Sequence, residues 1–187
     1  NGFKSFAEKT NFLIEDGLTG IVGPNGCGKS NIVESLRWVM GETSAKSMRG
    51  SGMEDVIFSG TSNKASKNIA EVSIEVDNND KEGPVQYREL EQIQVRRKIE
   101  KDKGSKFYIN DKEVRARDAQ MFFADLSTGA HSPSMISQGR IGALVTAKPT
   151  DRRAILEEAA GISGLHVRRH EAELRLGAAE NNLKRAD

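Results

Sequence analysis

A glycine-rich octapeptide at residues 23–30, GPNGCGKS, constrains the fold of this chain more than any other feature. It matches the pattern G-x-x-x-x-G-K-[ST] at every fixed position. Glycines at positions 23, 26 and 28 let the main chain turn so tightly that successive N–H groups face one anion. An apolar segment precedes the loop at 19–22, and a helix is predicted to follow it. This order of strand, loop and helix predicts an α/β fold that binds a nucleoside triphosphate.

Each residue type in the loop has an expected task. Lys29 is predicted to reach the β- and γ-phosphates, and the Ser30 hydroxyl is predicted to ligate Mg²⁺. The following helix adds its positive N-terminal end. Cys27 is interpreted as a small residue that fits between two glycines rather than as a redox switch. The candidate nucleotide-binding residues of this segment are Pro24, Asn25, Gly26, Cys27, Gly28, Lys29, Ser30 and Asn31, with Asn25, Gly26 and Gly28 acting mainly through main-chain N–H groups.

Hydrophobic periodicity predicts the other elements of the chain. Apolar residues fall at helical spacing over 29–40, and Gly41 ends that run. The predicted strands lie at 11–14, 19–22, 72–76 and 93–99, with a hairpin over 107–115 that turns at 110–112. Two further helices are predicted at 118–126 and 150–160, and residues 42–68 are predicted to be mostly loop.

The last stretch of the chain has a different period. Leu165, Ala172, Ala179 and Ala186 recur every seven residues, and Arg169, Leu176 and Leu183 lie four residues after the first three. This a/d pattern predicts the start of a coiled coil, with an ordinary amphipathic helix as the alternative. The heptads are still running at the last residue, so we expect the arm to continue. The predicted division is a lobe at 1–161 and an arm at 162–187.

Composition narrows the class of protein. A formal net charge of +1, from 28 basic and 27 acidic residues, means that any nucleic-acid binding would need a local patch. A single cysteine excludes a disulfide framework. The sequence has no apolar run long enough to span a membrane, and no signal-peptide pattern follows Asn1. The expected location is therefore the cytoplasm, with no membrane partner.

Five segments together resemble the amino-terminal head of bacterial SMC (structural maintenance of chromosomes) proteins. They are the loop itself, GFKSF at 2–6, MRG with MEDVIF at 48–58, ISQGRI at 136–141 and RRAILEEAAGI at 152–162. The resemblance covers nearly the whole chain and is weakest over 79–106. It implies one half of an ABC-type ATPase head, with a mixed sheet flanked by helices, attached to the start of a long antiparallel coiled coil.

The resemblance also implies roles for individual residues. Gln138 is implied to be the Q-loop glutamine, which ligates Mg²⁺ together with Ser30 and helps to position the attacking water. Arg49 matches an arginine near the nucleotide that is implicated in DNA-stimulated hydrolysis, and Lys4 matches a basic residue near the nucleotide. The implied catalytic set is Lys29, Gln138 and Arg49. Without the resemblance, Gln138 and Arg49 would be interpreted as loop residues facing water.

Motif order excludes two apparent catalytic segments. A hydrophobic run ends at Asp125, and residues 126–130 are similar to an ABC signature, but both precede Gln138. In ABC-type heads the Walker B aspartate and the signature follow the Q-loop, so we interpret these segments as a core helix and a loop. Hydrolysis would then need the carboxy-terminal half-head of the same protein and the signature motif of a second head. DNA and kleisin-type accessory subunits are further implied partners.

Weaker signals remain open. A basic cluster could bind DNA phosphates or could simply be a solvated hairpin; it comprises Arg96, Arg97, Lys98, Lys101, Lys103 and Lys106. His166 and His170 have metal-ligand spacing but are interpreted as surface residues. Glu157 and Glu158 are interpreted as ordinary helix residues.

The predicted function is therefore the ATP·Mg²⁺-binding half of an SMC head that dimerises on ATP and drives chromosome condensation and segregation, at the nucleoid. One alternative is a coiled-coil DNA-repair ATPase of the RecN or break-repair type, against which the Arg49 segment and residues 157–162 argue. A second is a stand-alone P-loop kinase, which would leave the heptads without a purpose. A third is an ABC transporter subunit, against which the heptads and the absent signature argue.

Overall fold

The computed structural model describes residues 1–15, 17–81, 83–126, 135–137, 142, 145–160, 169, 172–174 and 176–179. Its strands are β1 (Ile69–Asp77), β2 (Gln92–Glu100), β3 (Gly104–Ile109) and β4 (Lys112–Val114). Its helices include α1 (Lys29–Val39), α2 (Ala116–Asp125) and α3 (Pro149–Ala159), with 3-10 turns at Met53–Val56 and Val85–Tyr87. None of the helices in these ranges has the length and apolarity of a membrane span.

The four strands form one antiparallel meander in the order β1-β2-β3-β4. Alternation along β2 turns Ile93, Val95 and Ile99 to the side where the helices pack, because successive side chains of a strand point to opposite faces. The β3–β4 turn places Asn110 and Asp111 at φ values of 47° and 63°, which a two-residue hairpin turn of this hand requires. The strands predicted at 72–76 and 93–99 and the hairpin at 107–115 are thus confirmed.

Two hydrophobic clusters join the helices to this sheet. The first surrounds Trp38 near the end of α1 and includes Phe3, Met48, Val56, Ile57, Ala70 and Ile99. The second surrounds Val39, the next residue, and includes Ile93, Val95, Ile109, Phe122 and Phe123. Since Trp38 and Val39 are both fully buried, the last turn of α1 is the point where the two clusters meet. The helix that starts at the glycine-rich loop is therefore anchored on the sheet at its far end.

The helices predicted at 29–40, 118–126 and 150–160 are confirmed with shifts of at most two residues at each end. The expected α/β class is confirmed as well. Segment 121–125 belongs to α2, where Phe122 and Phe123 are buried, so its interpretation as a core helix is confirmed.

The two strands predicted before the loop, at 11–14 and 19–22, are wrong for the described residues. Residues 11–15 and 17–22 have no strand pairing, and their apolar side chains are exposed, with Leu13 at 81%, Leu18 at 96% and Val22 at 92%. The physical reason is that a strand must pair its N–H and C=O groups with a neighbour. No strand among the described residues lies beside either segment.

The predicted coiled coil falls mainly outside the described residues. Leu165, His166, His170, Leu183 and Ala186 lie outside them. Residues 172–174 and 176–179 are helical, and Arg169 pairs with Glu173 at 3.2 Å with i,i+4 spacing. The arm at 162–187 therefore stays a prediction.

Candidate nucleotide-binding site

The loop at 23–30 turns through two glycines with left-handed backbone. Gly26 has φ 82° and Gly28 has φ 90°, a region that residues with a side chain rarely adopt. Gly28 immediately precedes α1, and no side chain caps that helix start. The N–H groups of Lys29 and Ser30 and the positive end of the α1 dipole therefore remain for an anion at the loop, whereas Asn31 N donates to Gly28 O at 2.9 Å.

The side chain of Lys29 folds back over the loop. Its Nζ donates hydrogen bonds to the carbonyl of Gly23, at 2.7 Å, and to the carbonyl of Pro24, and lies 3.8 Å from Cys27 Sγ. The ammonium group is thus held against the first half of the loop. The motif predicts that this cationic group contacts phosphate oxygens when a nucleotide binds.

Ser30 is exposed in the first turn of α1. A hydroxyl at this position suits Mg²⁺, which prefers hard oxygen ligands and usually completes its shell with phosphate oxygens and waters. Within the described ranges, no group of three or more His, Cys, Asp or Glu side chains is arranged to hold a metal by itself. The Ser30 hydroxyl fits a Mg²⁺ that is also bound by the phosphate oxygens of a nucleotide. Gln138, the other predicted ligand, lies outside the described residues.

Beside the loop, one carboxylate joins two cations. Glu34, in the second turn of α1, accepts a hydrogen bond from Lys4 Nζ on Oε2 and pairs through Oε1 with the guanidinium of Arg49. Lys4 Nζ also donates to the main-chain carbonyl of Met48. Glu34 is only 6% exposed. Residues predicted separately at positions 4 and 49 are thus brought together by a residue that the sequence analysis did not single out.

The same cluster reaches the loop through Asn31. Arg49 Nη2 donates to Asn31 Oδ1 at 3.3 Å, and Asn31 Nδ2 donates to Ser5 Oγ at 2.9 Å. Ser5 packs directly on the loop, since a Cβ added to Gly28 would lie 2.8 Å from Ser5 Oγ. These contacts form one connected network, which we call the Glu34 network. Its members are Lys4, Ser5, Asn31, Glu34 and Arg49.

Glu34 and Ser5 are the members of the Glu34 network that sequence reasoning missed. The available signal for Glu34 was its position four residues before Trp38, since both lie on the same face of α1. An acidic residue on the buried face of a helix requires a cation nearby. Ser5 carried no comparable signal.

The segment that carries Arg49 is fixed by its own hydrogen bonds. Met48 N and Arg49 N donate to carbonyls at positions 44–46, at 3.0–3.2 Å. After Arg49, the Asp55 carboxylate accepts hydrogen bonds from Gly52 N at 3.0 Å, from Ser51 Oγ at 2.9 Å and from Ser51 N at 2.6 Å. These hydrogen bonds, with the one from Gly52 N first, hold the pKa of Asp55 below its ordinary value. Arg49 thus lies on a short, braced loop.

The basic cluster at 96–106 is not a uniform surface. Arg97 is buried at 3% exposure, and its Nη1 donates to the carbonyls of Trp38 and Glu42, both at 2.7 Å. Burial lowers the pKa of Arg97 to about 10, which leaves it protonated at neutral pH. The hypothesis that this arginine belongs to a DNA-binding cluster is therefore wrong, because it satisfies the carbonyl end of α1.

The other cations of that cluster are mostly paired with acids. Arg96 contacts Glu71 at 3.3 Å and Asp111 at 2.8 Å, and Lys106 contacts Glu113 at 3.0 Å. Lys103 contacts Glu100 at 2.5 Å. The side-chain hydrogen bond to Glu113 raises the pKa of Lys106 above its ordinary value. This pairing favours the solvated hairpin over a phosphate-binding patch.

The chain is similar to known proteins over the residues that form this site. The family model for the RecF/RecN/SMC N terminal domain matches residues 1–140. Over all of its 187 residues the chain is 56% identical to the chromosome partition protein Smc of Rhodopseudomonas palustris (strain ATCC BAA-98 / CGA009), and it spans 16% of the length of that relative. This name favours the SMC prediction over the RecN alternative.

Two solved structures are similar to this chain. One is an Smc head domain with an extended coiled coil bound to the C-terminal domain of ScpA, from Pyrococcus furiosus, with TM-score 0.76 and 31% identity. That alignment covers 98% of this chain and 46% of the other. The second, described as the structural biochemistry of ATP-driven dimerization and DNA stimulated activation of SMC ATPases, has TM-score 0.72 and 30% identity. It covers 84% of this chain and 94% of the other.

Proposed function

This chain belongs to the RecF/RecN/SMC N-terminal domain family, and we propose that it is the ATP-binding half of an SMC head that acts in chromosome condensation and segregation. The observation that carries the proposal is the loop at 23–30, which opens α1 with two left-handed glycines and holds the Lys29 ammonium against its main chain. ATP and Mg²⁺ are the proposed cofactors, and the nucleoid in the cytoplasm is the proposed location.

In this proposal the chain binds the triphosphate but does not complete the reaction. Main-chain N–H groups between positions 25 and 30 contact the phosphates, Lys29 neutralises charge on the β- and γ-phosphates, and Ser30 with Gln138 holds Mg²⁺. Arg49 stabilises the negative charge that develops at the γ-phosphate. The chain contains no Asp-Glu dipeptide of the Walker B kind. The carboxylate that orients the attacking water is therefore proposed to come from another part of the protein.

The exposed residues at 12–15 and 17–22 support the proposal that another part of the protein covers this segment. Its apolar side chains have the pattern of strands, yet among the described residues they have no neighbouring strand. The chain spans 16% of the length of the relative from Rhodopseudomonas palustris. We propose that strands from the carboxy-terminal half-head of the same protein pair with this segment and cover it. That pairing would complete the sheet beneath the phosphate loop.

A second head, DNA and an accessory subunit are the remaining proposed partners. One similar structure concerns ATP-driven dimerization and DNA stimulated activation of SMC ATPases, and another holds ScpA on the head. By analogy, ATP would lie between two heads, each of which presents a signature motif to the nucleotide of the other. A kleisin-type subunit would bind the head, and an arm that starts at about residue 162 would transmit the change to DNA.

Co-expression of this chain with the carboxy-terminal half-head tests the proposal. We expect ATP hydrolysis by the complex, an increase on addition of DNA, and no turnover by this chain alone. Lys29→Ala should abolish nucleotide binding, whereas Lys106→Ala, which removes an exposed lysine paired with Glu113, should not. DNA-independent turnover by the single chain would instead support a stand-alone P-loop kinase or hydrolase.

A further inference from the structure

We propose that Glu34 is a positioning residue for Arg49, because its carboxylate fixes where the guanidinium lies relative to the phosphate loop. The inference rests on the proposed function, since Arg49 can act on a nucleotide only if the loop at 23–30 binds one. It adds to that function a residue that touches neither phosphate nor metal. The role of Glu34 is to hold a cation in place for another group to use.

The geometry of the Glu34 network supports this positioning role for Glu34. The side chain of Glu34 is 8% exposed, and its carboxylate pairs through one oxygen with Lys4 and through the other with Arg49. Lys4 is nearly covered, with a side-chain exposure of 13%, and also bonds to the Met48 carbonyl. Lys4 therefore holds the carboxylate in place from one side. Arg49 is the exposed partner, with a side-chain exposure of 57%.

Arg49 keeps hydrogen-bonding capacity after it pairs with Glu34. Both of its contacts within the described residues, to Glu34 and to Asn31 Oδ1, use the Nη2 atom. An arginine has five N–H donors in a fixed planar fork. The donors on Nε and Nη1 thus remain for an anion, and holding Nη2 fixes the plane in which they lie. Arginine recognises phosphate oxygens best when that plane is set in advance.

The backbone of both cations supports the same conclusion. Lys4 has φ 46° and Arg49 has φ 54°, and these are the residues that Glu34 binds. Non-glycine residues persist in this region only where their surroundings over-determine it, which is common at functional sites. Lys4 N donates to Val56 O at 2.7 Å and Arg49 N donates to Lys46 O at 3.0 Å. The main-chain conformation at both positions therefore directs the two side chains to a single carboxylate on α1.

Charge explains why glutamine could not replace Glu34. With the carboxylate present, the three side chains carry a net charge of +1, and the buried oxygens face cations on both sides. With Glu34→Gln, Lys4 and Arg49 are two like charges with no counter-ion between them, and Lys4 stays largely out of water. The exposed partner is free to leave, so Arg49 should swing into solvent. The phosphate loop itself keeps its hydrogen bonds to Lys29.

A double-mutant cycle in the full-length protein tests the inference. Glu34→Gln, Arg49→Ala and the double variant are compared for DNA-stimulated ATP hydrolysis, with Kd for ATP and Tm measured on each. We expect Glu34→Gln to lower kcat by about tenfold or more, with KM and Kd for ATP within about twofold of the parent protein. The double variant should be no slower than Arg49→Ala alone, because both changes remove the same interaction.

A matched control separates this role from loss of any surface ion pair. Glu113→Gln removes the exposed carboxylate that pairs with Lys106 at 3.0 Å, and it should leave kcat unchanged. If Glu34→Gln does not fold, as judged by its thermal transition, Glu34→Asp takes its place. Aspartate keeps the charge but is one methylene shorter, so we expect an intermediate kcat.

The outcomes that overturn the inference differ from those that overturn the proposed function. If Arg49→Ala slows turnover but Glu34→Gln or Glu34→Asp does not, then Glu34 does not position Arg49. Strictly additive losses in the double-mutant cycle would lead to the same conclusion. The proposed function, by contrast, fails if Lys29→Ala binds ATP as tightly as the parent protein.

Discussion

The guanidinium of Arg97 lies 4.6 Å from the ring centroid of Trp38, and its Nη1 donates a hydrogen bond of 2.7 Å to the Trp38 carbonyl. The ring of Phe107 lies on the guanidinium as well, with its centroid 4.6 Å away. Arg97 belongs to β2 and Trp38 to the last turn of α1. One buried cation therefore fastens the sheet to the helix whose first residue, Lys29, belongs to the phosphate loop.

Replacing Arg97 tests this attachment. Arg97→Met retains much of the apolar volume but removes the guanidinium that donates to the carbonyls of Trp38 and Glu42. Hydrogen bonds to a charged group contribute about 1.5–3 kcal/mol, and relief from burying the charge offsets part of the loss. We expect urea denaturation to give a free energy of unfolding lower by about 1–3 kcal/mol. Lys101→Met, an exposed change on the same hairpin, should stay within about 0.5 kcal/mol of the parent protein. Equal unfolding midpoints for the two variants would contradict the assigned role.

Gly28 should not tolerate a side chain. Its φ of 90° is unfavourable for alanine, and the added Cβ would lie 2.8 Å from Ser5 Oγ. We expect Gly28→Ala to weaken ATP binding by at least about tenfold, because it pushes the loop away from the Glu34 network. Gly17→Ala is the matched control, since Gly17 has φ 84° and no atom within 4 Å of its added Cβ. A Gly28→Ala protein that binds ATP as well as Gly17→Ala would refute this prediction.

The lowered pKa of Asp55 predicts that its contribution to the stability of the fold is lost at acid pH. Its pKa is lower in the folded chain than in the unfolded chain, so at acid pH the folded state binds fewer protons than the unfolded state does. The contribution of Asp55 is therefore complete above its unfolded pKa, near 3.8, and is lost as pH falls through the lower folded value. We expect the Tm difference between the parent protein and Asp55→Asn to be constant above about pH 5 and to shrink below about pH 4. A difference that does not change with pH would contradict this account.

The segment at 12–22 should matter for assembly more than for the stability of this chain. Leu13 is 81% exposed among the described residues, so Leu13→Ser removes little packing here. We expect the variant to be at least as soluble as the parent chain and to co-purify less with the carboxy-terminal half-head, since apolar burial drives that contact. Val85→Ser, at a site that is 75% exposed elsewhere on the chain, is the control and should co-purify normally. Equal recovery of the half-head with both variants would argue against the proposed pairing.

The elements that sequence reasoning predicted well are those whose partners are close in the chain. Strands β1 to β4 form a meander of consecutive neighbours, so alternation of apolar residues was sufficient to find them. Helix α1 was predicted from its spacing, and the phosphate loop from its motif. Residues 11–14 and 19–22 have the same kind of apolar pattern, but the strands predicted there were wrong. Periodicity indicates which side chains are suited to burial, but not whether a neighbouring strand is present.

Long-range polar contacts were not predicted. Arg97 was grouped with surface cations because it lies between Arg96 and Lys98 in a basic run. Alternation along β2 should have placed it on the core face with Val95 and Ile99. Glu34 lies 30 residues from Lys4, and no local pattern links the two. Such pairings depend on how the loops return to α1.

The most direct test of the central claim is a titration of Mg·ATP into the co-expressed head, followed by calorimetry, for the parent protein and for Lys29→Ala. If the loop at 23–30 binds the triphosphate, the parent protein should give saturable binding that Lys29→Ala loses, while both proteins keep the same thermal transition. Equal affinity in the two proteins, or no binding by a folded parent protein, would contradict the claim.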